Sequence, residues 1–116
     1  MEKYIDSEIT QYWIHFQAGE LKKNHIYPQA MIKCYHEDDF LLQINFYPDA
    51  KAVPPNHYDK KKRLVYLRYP MSMYVNVMDI LRTEKPIFFR YNKALNVGFV
   101  RTGKEPVGEG EYDADF

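Results

Sequence analysis

The chain has 116 residues, 46% hydrophobic and 16% aromatic with eleven tyrosines, and its sixteen basic and sixteen acidic side chains sum to a formal charge of zero. This composition fits one globular domain; it leaves no room for a second, does not match a disordered chain, and with a single cysteine allows no internal disulfide. No apolar run approaches the ~20 residues of a membrane-spanning helix and the first residues hold no apolar stretch of signal-peptide length, so the expectation is a soluble, cytoplasmic protein.

The zero charge conceals a sorting along the chain. Residues 1–59 hold five basic and nine acidic side chains, residues 60–104 eleven and two, and residues 105–116 none and five. A basic middle attracts phosphates, nucleic acids or acidic partners, unless its charges lie on solvated strand faces neutralised by the chain's own acids.

In chain order, residues 9–17 alternate Tyr12, Ile14 and Phe16 with Gln11, Trp13 and His15, the period of a strand, and Ala18-Gly19 ends the run. Residues 30–36 place Ala30, Ile32 and Cys34 on one face and Met31, Lys33 and Tyr35 on the other. After the turn Glu37-Asp38-Asp39, residues 40–47 alternate Phe40, Leu42, Ile44 and Phe46 with Leu41, Gln43, Asn45 and Tyr47, which predicts a hairpin. Residues 48–62, with Pro48, Pro54 and Pro55, read as a surface loop. A fourth strand, 64–69, sets Val65, Leu67 and Tyr69 against Leu64, Tyr66 and Arg68, and Pro70 stops it.

The one good helix follows over 72–84, with Ser72 as N-cap, an apolar stripe at Tyr74, Val77, Met78 and Leu81, and Pro86 preventing continuation. Residues 87–91 and 97–101 form a last hairpin. From residue 104 the chain is an acidic, glycine-containing tail, expected to be flexible, with Tyr112 and Phe116 as apolar side chains able to dock elsewhere.

The expected fold is α+β: within residues 1–103, a curved or partly closed antiparallel sheet of about six strands, in the order β-β-β-β-α-β-β, with one covering helix. One helix cannot cover six strands. The remaining apolar surface is therefore expected to be buried by sheet curvature or in a homodimer.

Chemistry-bearing motifs are scarce. His15, His25, His36 and His57 have no compact ligand spacing with Cys34 or the acids, so no metal is expected. Neither Ser7 nor Ser72 stands in a nucleophile elbow, and no phosphate-binding glycine loop or other cofactor motif occurs. Cys34 reads as a buried apolar residue, so a non-enzymatic domain is favoured.

The basic and aromatic pattern is more informative. Tyr66 and Arg68 share a strand face, Phe88 and Arg90 share another, and Lys60, Lys61, Lys62 and Arg63 precede the first pair. Rings alternating with cations on an open sheet hold single-stranded nucleic acid by base stacking and backbone charge, and these eight residues are the candidate contacts. At the level of topology, four strands followed by a helix resembles the single-strand-binding folds of the Whirly and Pur type. Asn96-Val97-Gly98-Phe99-Val100-Arg101 is similar to the Gly-Phe-Val core of an RNA-recognition motif, whose second helix has no counterpart here. Both resemblances imply single-stranded nucleic acid. The competing expectations are a protein partner for the same surface, or a small-molecule or catalytic pocket between sheet and helix with Cys34 or a histidine inside.

Overall fold

The computed structural model describes residues 3–18, 27–49 and 52–104. Its strands are β1 (Tyr4–Ile9), β2 (Gln11–Phe16), β3 (Ala30–His36), β4 (Asp39–Tyr47), β5 (His57–Asp59), β6 (Leu64–Pro70), β7 (Ile87–Asn92) and β8 (Val97–Thr102). A single 3-10 turn, Met71–Met73, leads into the helix α1 (Tyr74–Thr83). The flexible tail expected from the sequence lies, beyond Lys104, outside the described residues, as does His25.

The class is α+β as expected, but the single antiparallel sheet is not what forms. Two sheets are present, β1-β7-β8 and β2-β3-β4-β6-β5, and β4 and β6 run parallel. The division begins at Thr10. Its backbone N–H donates to the Tyr35 carbonyl at 2.8 Å and its hydroxyl accepts the Glu37 N–H at 2.6 Å. The chain turns there, leaving Ile9 paired with Ile87 in one sheet and Gln11 paired with Tyr35 in the other. Alternation alone gives one strand from Ile9 and does not reveal β1. It also leaves the short β5 inside the 48–62 loop, although its three residues pair with β6 from His57↔Tyr66 to Asp59↔Leu64.

Alternation then decides what is buried. Three rows run across the inner face of the five-stranded sheet: Phe16-Ala30-Phe46-Tyr69, Ile14-Ile32-Ile44-Leu67 and Tyr12-Cys34-Leu42-Val65-Tyr58. Ala30, Ile32, Cys34, Leu42, Ile44, Phe46, Val65 and Leu67 from these rows are buried. Val77, Met78 and Leu81 of α1 cover part of this face, and Tyr74 sets its ring 5.2 Å from Phe16 and 5.1 Å from Phe46. The rest is covered by Ile87, Phe89 and Tyr91 of the three-stranded sheet, which join the same core. The cover that sequence reasoning sought in curvature or a second copy is thus supplied by the chain's own second sheet.

The two sheets approach closely at Gly98. A Cβ there would lie 2.6 Å from Leu67 Cδ2 and 3.0 Å from the Arg90 carbonyl oxygen, so no other residue fits without displacement. A polar clasp closes the far end. Asn56 and Asn96 each donate a side-chain amide hydrogen to the other's backbone carbonyl, at 3.1 and 2.8 Å. Asn56 Oδ1 accepts the Arg68 N–H at 2.8 Å, and the Tyr91 hydroxyl donates to Asn96 Oδ1. Asn96 adopts a φ of 56°, a conformation Asn tolerates better than other side chains with a Cβ.

The helix start corrects the sequence expectation. Ser72 lies inside the 3-10 turn and makes no side-chain cap; its backbone N–H is instead taken by Asp49 Oδ1 at 3.0 Å. A carboxylate brought from the β4 end performs the task assigned to Ser72.

Candidate nucleic-acid interface

The eight sequence-predicted contacts do not form one surface. Tyr66 and Arg68 lie on the outer face of the five-stranded sheet, whereas Phe88 and Arg90 lie on the outer face of the three-stranded sheet, with the shared core between them. Period-two alternation identifies which residues share a strand face; it carries no information about which sheet a strand joins.

The three-stranded sheet makes a poor phosphate surface. Its outer rows read Glu8-Phe88-Arg101 and Asp6-Arg90-Phe99, two carboxylates against two guanidinium groups. Arg90 is already engaged: its Nε donates to Asp6 Oδ1 at 2.5 Å, its Nη2 to Oδ2 at 3.2 Å, and its guanidinium lies 4.4 Å from the Tyr4 ring centre. The bond to Asp6 holds its pKa above the usual value. Arg101 stands 4.9 Å from the Phe88 ring, so that ring is covered as well.

The five-stranded sheet presents the opposite character. One outer row crosses all five strands in register, Trp13-Lys33-Gln43-Tyr66-His57. A second runs His15-Met31-Asn45-Arg68, and a third Gln11-Tyr35-Phe40. None of these twelve side chains is acidic. At ~4.8 Å between strands the first row is about 19 Å long.

Phe40 belongs to this face because of a bulge. The sequence pattern groups Phe40 with the inward Leu42, but the β3–β4 register shifts between Cys34 and Tyr35, so Leu42 opposes Cys34 and Phe40 opposes Tyr35. The Phe40 and Tyr35 rings stack at 5.3 Å. Trp13, 42% exposed, donates its indole N–H to the Tyr35 hydroxyl at 3.0 Å. The Lys33 ammonium sits 4.7 Å from the Trp13 ring centre and 5.4 Å from that of Phe40. Three rings and a cation are therefore held together at one end.

At the other end the Arg68 guanidinium lies 5.4 Å from the Tyr66 ring, and His57 stacks on Tyr66 at 6.0 Å. Arg68 is fixed by donating from Nη1 to the Pro55 carbonyl at 2.7 Å, while its buried Nε has no hydrogen-bond partner among the described residues. Between the two ends the half-buried Gln43 donates to Oδ1 of the buried Asn45 at 2.9 Å.

Lys60, Lys61 and Lys62 with Arg63 form the exposed β5–β6 turn. Asp59 Oδ1 accepts the N–H groups of Lys61 and Lys62 at 3.0 Å each, and the Lys62 N–H above all holds the Asp59 carboxyl below its usual pKa. Arg63 closes the turn at φ 55°. This basic turn lies on the Tyr66–His57 side of the sheet and, because β4 and β6 are parallel, at the level where β4 begins.

Trp13, Lys33, Tyr35, Phe40 and His57 were absent from the sequence-predicted set. The alternation that places Trp13 beside Gln11 and His15, and Lys33 between Met31 and Tyr35, was legible. The cross-strand register that joins them to Tyr66 was not.

A surface cleft of about 480 Å³ lies at the β1–β2 corner, between Glu8 to Tyr12 and the α1 C-terminus, where Arg82, Glu84 and Lys85 line it. It contains neither Cys34 nor a histidine. Cys34 is wholly buried in the core, and burial pushes its thiol up to about 12, which removes it as a nucleophile in the folded protein. Among the described residues no three His, Cys, Asp or Glu side chains gather in a group that could hold a metal ion, and no helix is long and apolar enough to cross a membrane. No family model, curated protein or solved structure matches the chain.

Proposed function

We propose that the chain is a non-enzymatic binding domain whose five-stranded sheet takes single-stranded nucleic acid on its outer face. The observation that carries this reading is the in-register row Trp13-Lys33-Gln43-Tyr66-His57, flanked by Tyr35, Phe40 and Arg68, with the neighbouring Asp59 carboxylate occupied by the Lys61 and Lys62 N–H groups. Rings accept bases of any identity by stacking, lysine and arginine neutralise the backbone, and the Gln43 amide meets base edges. With about 6 Å per extended nucleotide, a row of this length holds about three to four nucleotides. The basic turn Lys60 to Arg63 extends the positive field beyond one end and attracts the strand during encounter.

Fluorescence anisotropy of short labelled oligonucleotides tests the proposal. Affinity should fall steeply as salt rises, with a log-log slope of about −0.7 for each phosphate neutralised. Trp13→Ala and Tyr66→Ala should each cost about 1–3 kcal/mol, whereas Phe88→Ala and Arg90→Ala should leave affinity unchanged. No binding at low salt would remove the proposal.

A second reading, contact with a protein partner or with another copy of the chain, is favoured by the three-stranded sheet. Tyr4, Val97 and Phe99 are exposed on its outer side and Leu95 in its β7–β8 turn. Sedimentation at micromolar concentration tests it: a mass near twice the protomer supports a homodimer, and a clean monomer removes the homodimer.

A further inference from the structure

The aromatic end of the sheet opens into a cleft of about 450 Å³ lined by Gln11, Tyr12, Trp13, Tyr35, Glu37 and Asp38. It continues the face described above but differs from it in charge. Trp13 and Tyr35 reach it from that face, and the two carboxylates come from the β3–β4 turn. The turn is held in place: Glu37 adopts a φ of 55° and donates its N–H to Thr10 Oγ1 at 2.6 Å, and the Thr10 N–H is bonded to the Tyr35 carbonyl. The turn backbone is therefore fixed at the same corner as the rings, and the exposed Glu37 and Asp38 side chains line the cleft beside them.

We propose that this cleft takes a guanine base of the bound strand. The inference rests on the nucleic-acid reading above and adds a base preference to it. Carboxylates repel phosphate, so the backbone stays over Lys33 and Arg68 while the base alone enters. A carboxylate only accepts hydrogen bonds. Guanine is the one common base whose Watson–Crick edge offers two adjacent donors, the ring N1–H and the exocyclic amino group, and so can meet a carboxylate with both its oxygens. Adenine and cytosine each place a ring-nitrogen acceptor beside their amino group, and uracil or thymine flanks its one N–H with two carbonyls. Each of these sets an acceptor against a carboxylate oxygen. Trp13 and Tyr35 supply the stacking surface.

Trp13 is the sole tryptophan of the chain, so its intrinsic fluorescence reports directly on the cleft. The experiment titrates the full chain at low salt with four-nucleotide thymidine DNA carrying one terminal guanine, inosine, adenine or cytosine, and in parallel with guanosine monophosphate. The expected result is quenching of Trp13 by the guanine oligonucleotide with affinity about tenfold above the adenine and cytosine ones. Inosine, which lacks the amino group, should lose most of that advantage. The double substitution Glu37→Gln with Asp38→Asn should abolish the preference while leaving an all-thymidine oligonucleotide bound at least as tightly.

Equal affinity for all four oligonucleotides, or a guanine preference unchanged in the double variant, would overturn the inference and leave the nucleic-acid reading standing. Failure of every oligonucleotide to bind would overturn both. Guanosine monophosphate binding as tightly as the guanine oligonucleotide would overturn the strand as the ligand and assign the cleft to a free nucleotide.

Discussion

At the scale of single residues, two positions separate packing from chemistry. Gly98 is small because Leu67 of the opposite sheet lies where its Cβ would be. Gly98→Ala should therefore destabilise the protein by about 1–3 kcal/mol through overpacking, and Leu67→Val should recover part of the loss in the double variant. Urea unfolding of the three variants measures it. The glycine was visible in the sequence only as part of a hexapeptide similar to an RNA-recognition motif, where its role would be functional; its contacts are those of a packing residue. Cys34 is the second such position. With its thiol at about 12 and no exposure, thiol reagents at pH 8 should modify it at least about a thousandfold more slowly in the folded than in the urea-unfolded protein. Comparable rates would contradict its place in the core.

At the scale of elements, periodicity was a good guide to existence and a poor one to partnership. The β3–β4 and β7–β8 hairpins and the helix stripe Val77, Met78 and Leu81 follow from local alternation and turn residues. The parallel pairing of β4 with β6 does not, because it depends on β5 pairing on the far side of β6 and not on the composition of either strand. Phe40 illustrates the limit further, since one bulge moves it to the opposite face from Leu42. The helix terminus is a similar case. Ser72 has the right side chain for a cap and the wrong position, while Asp49, 23 residues earlier in the chain, holds its N–H. Asp49→Ala should thus cost about 0.5–2 kcal/mol and Ser72→Ala close to nothing. Thermal unfolding distinguishes them, and the reverse order would restore Ser72 as the cap.

At the scale of the whole molecule, the two sheets are joined by Thr10 at one corner and by the Asn56–Asn96 clasp at another. The clasp matters for the candidate surface because Asn56 also holds the Arg68 backbone, and Arg68 is the cation beside Tyr66. Removing either amide leaves its partner's polar groups unpaired, so Asn56→Ala and Asn96→Ala should each cost about 1–3 kcal/mol. The double variant should cost less than their sum, by about 0.5–3 kcal/mol, because the two act through shared bonds. Strict additivity in denaturant unfolding would show that the clasp is not one unit.

The same division into two sheets separates the basic-aromatic residues into a neutralised set, Phe88 and Arg90 facing Asp6 and Glu8, and an available set, Trp13, Lys33, Tyr35, Phe40, Tyr66 and Arg68. The measurement that tests this most directly is amide chemical-shift mapping of the ¹⁵N-labelled protein during titration with a four-nucleotide single strand at low salt. The account predicts shifts concentrated on β2, β3, β4 and β6 at Trp13, Lys33, Gln43 and Tyr66, with β1, β7 and β8 unchanged. Shifts centred on Phe88, Arg90 and Phe99, or none at millimolar oligonucleotide, would contradict it.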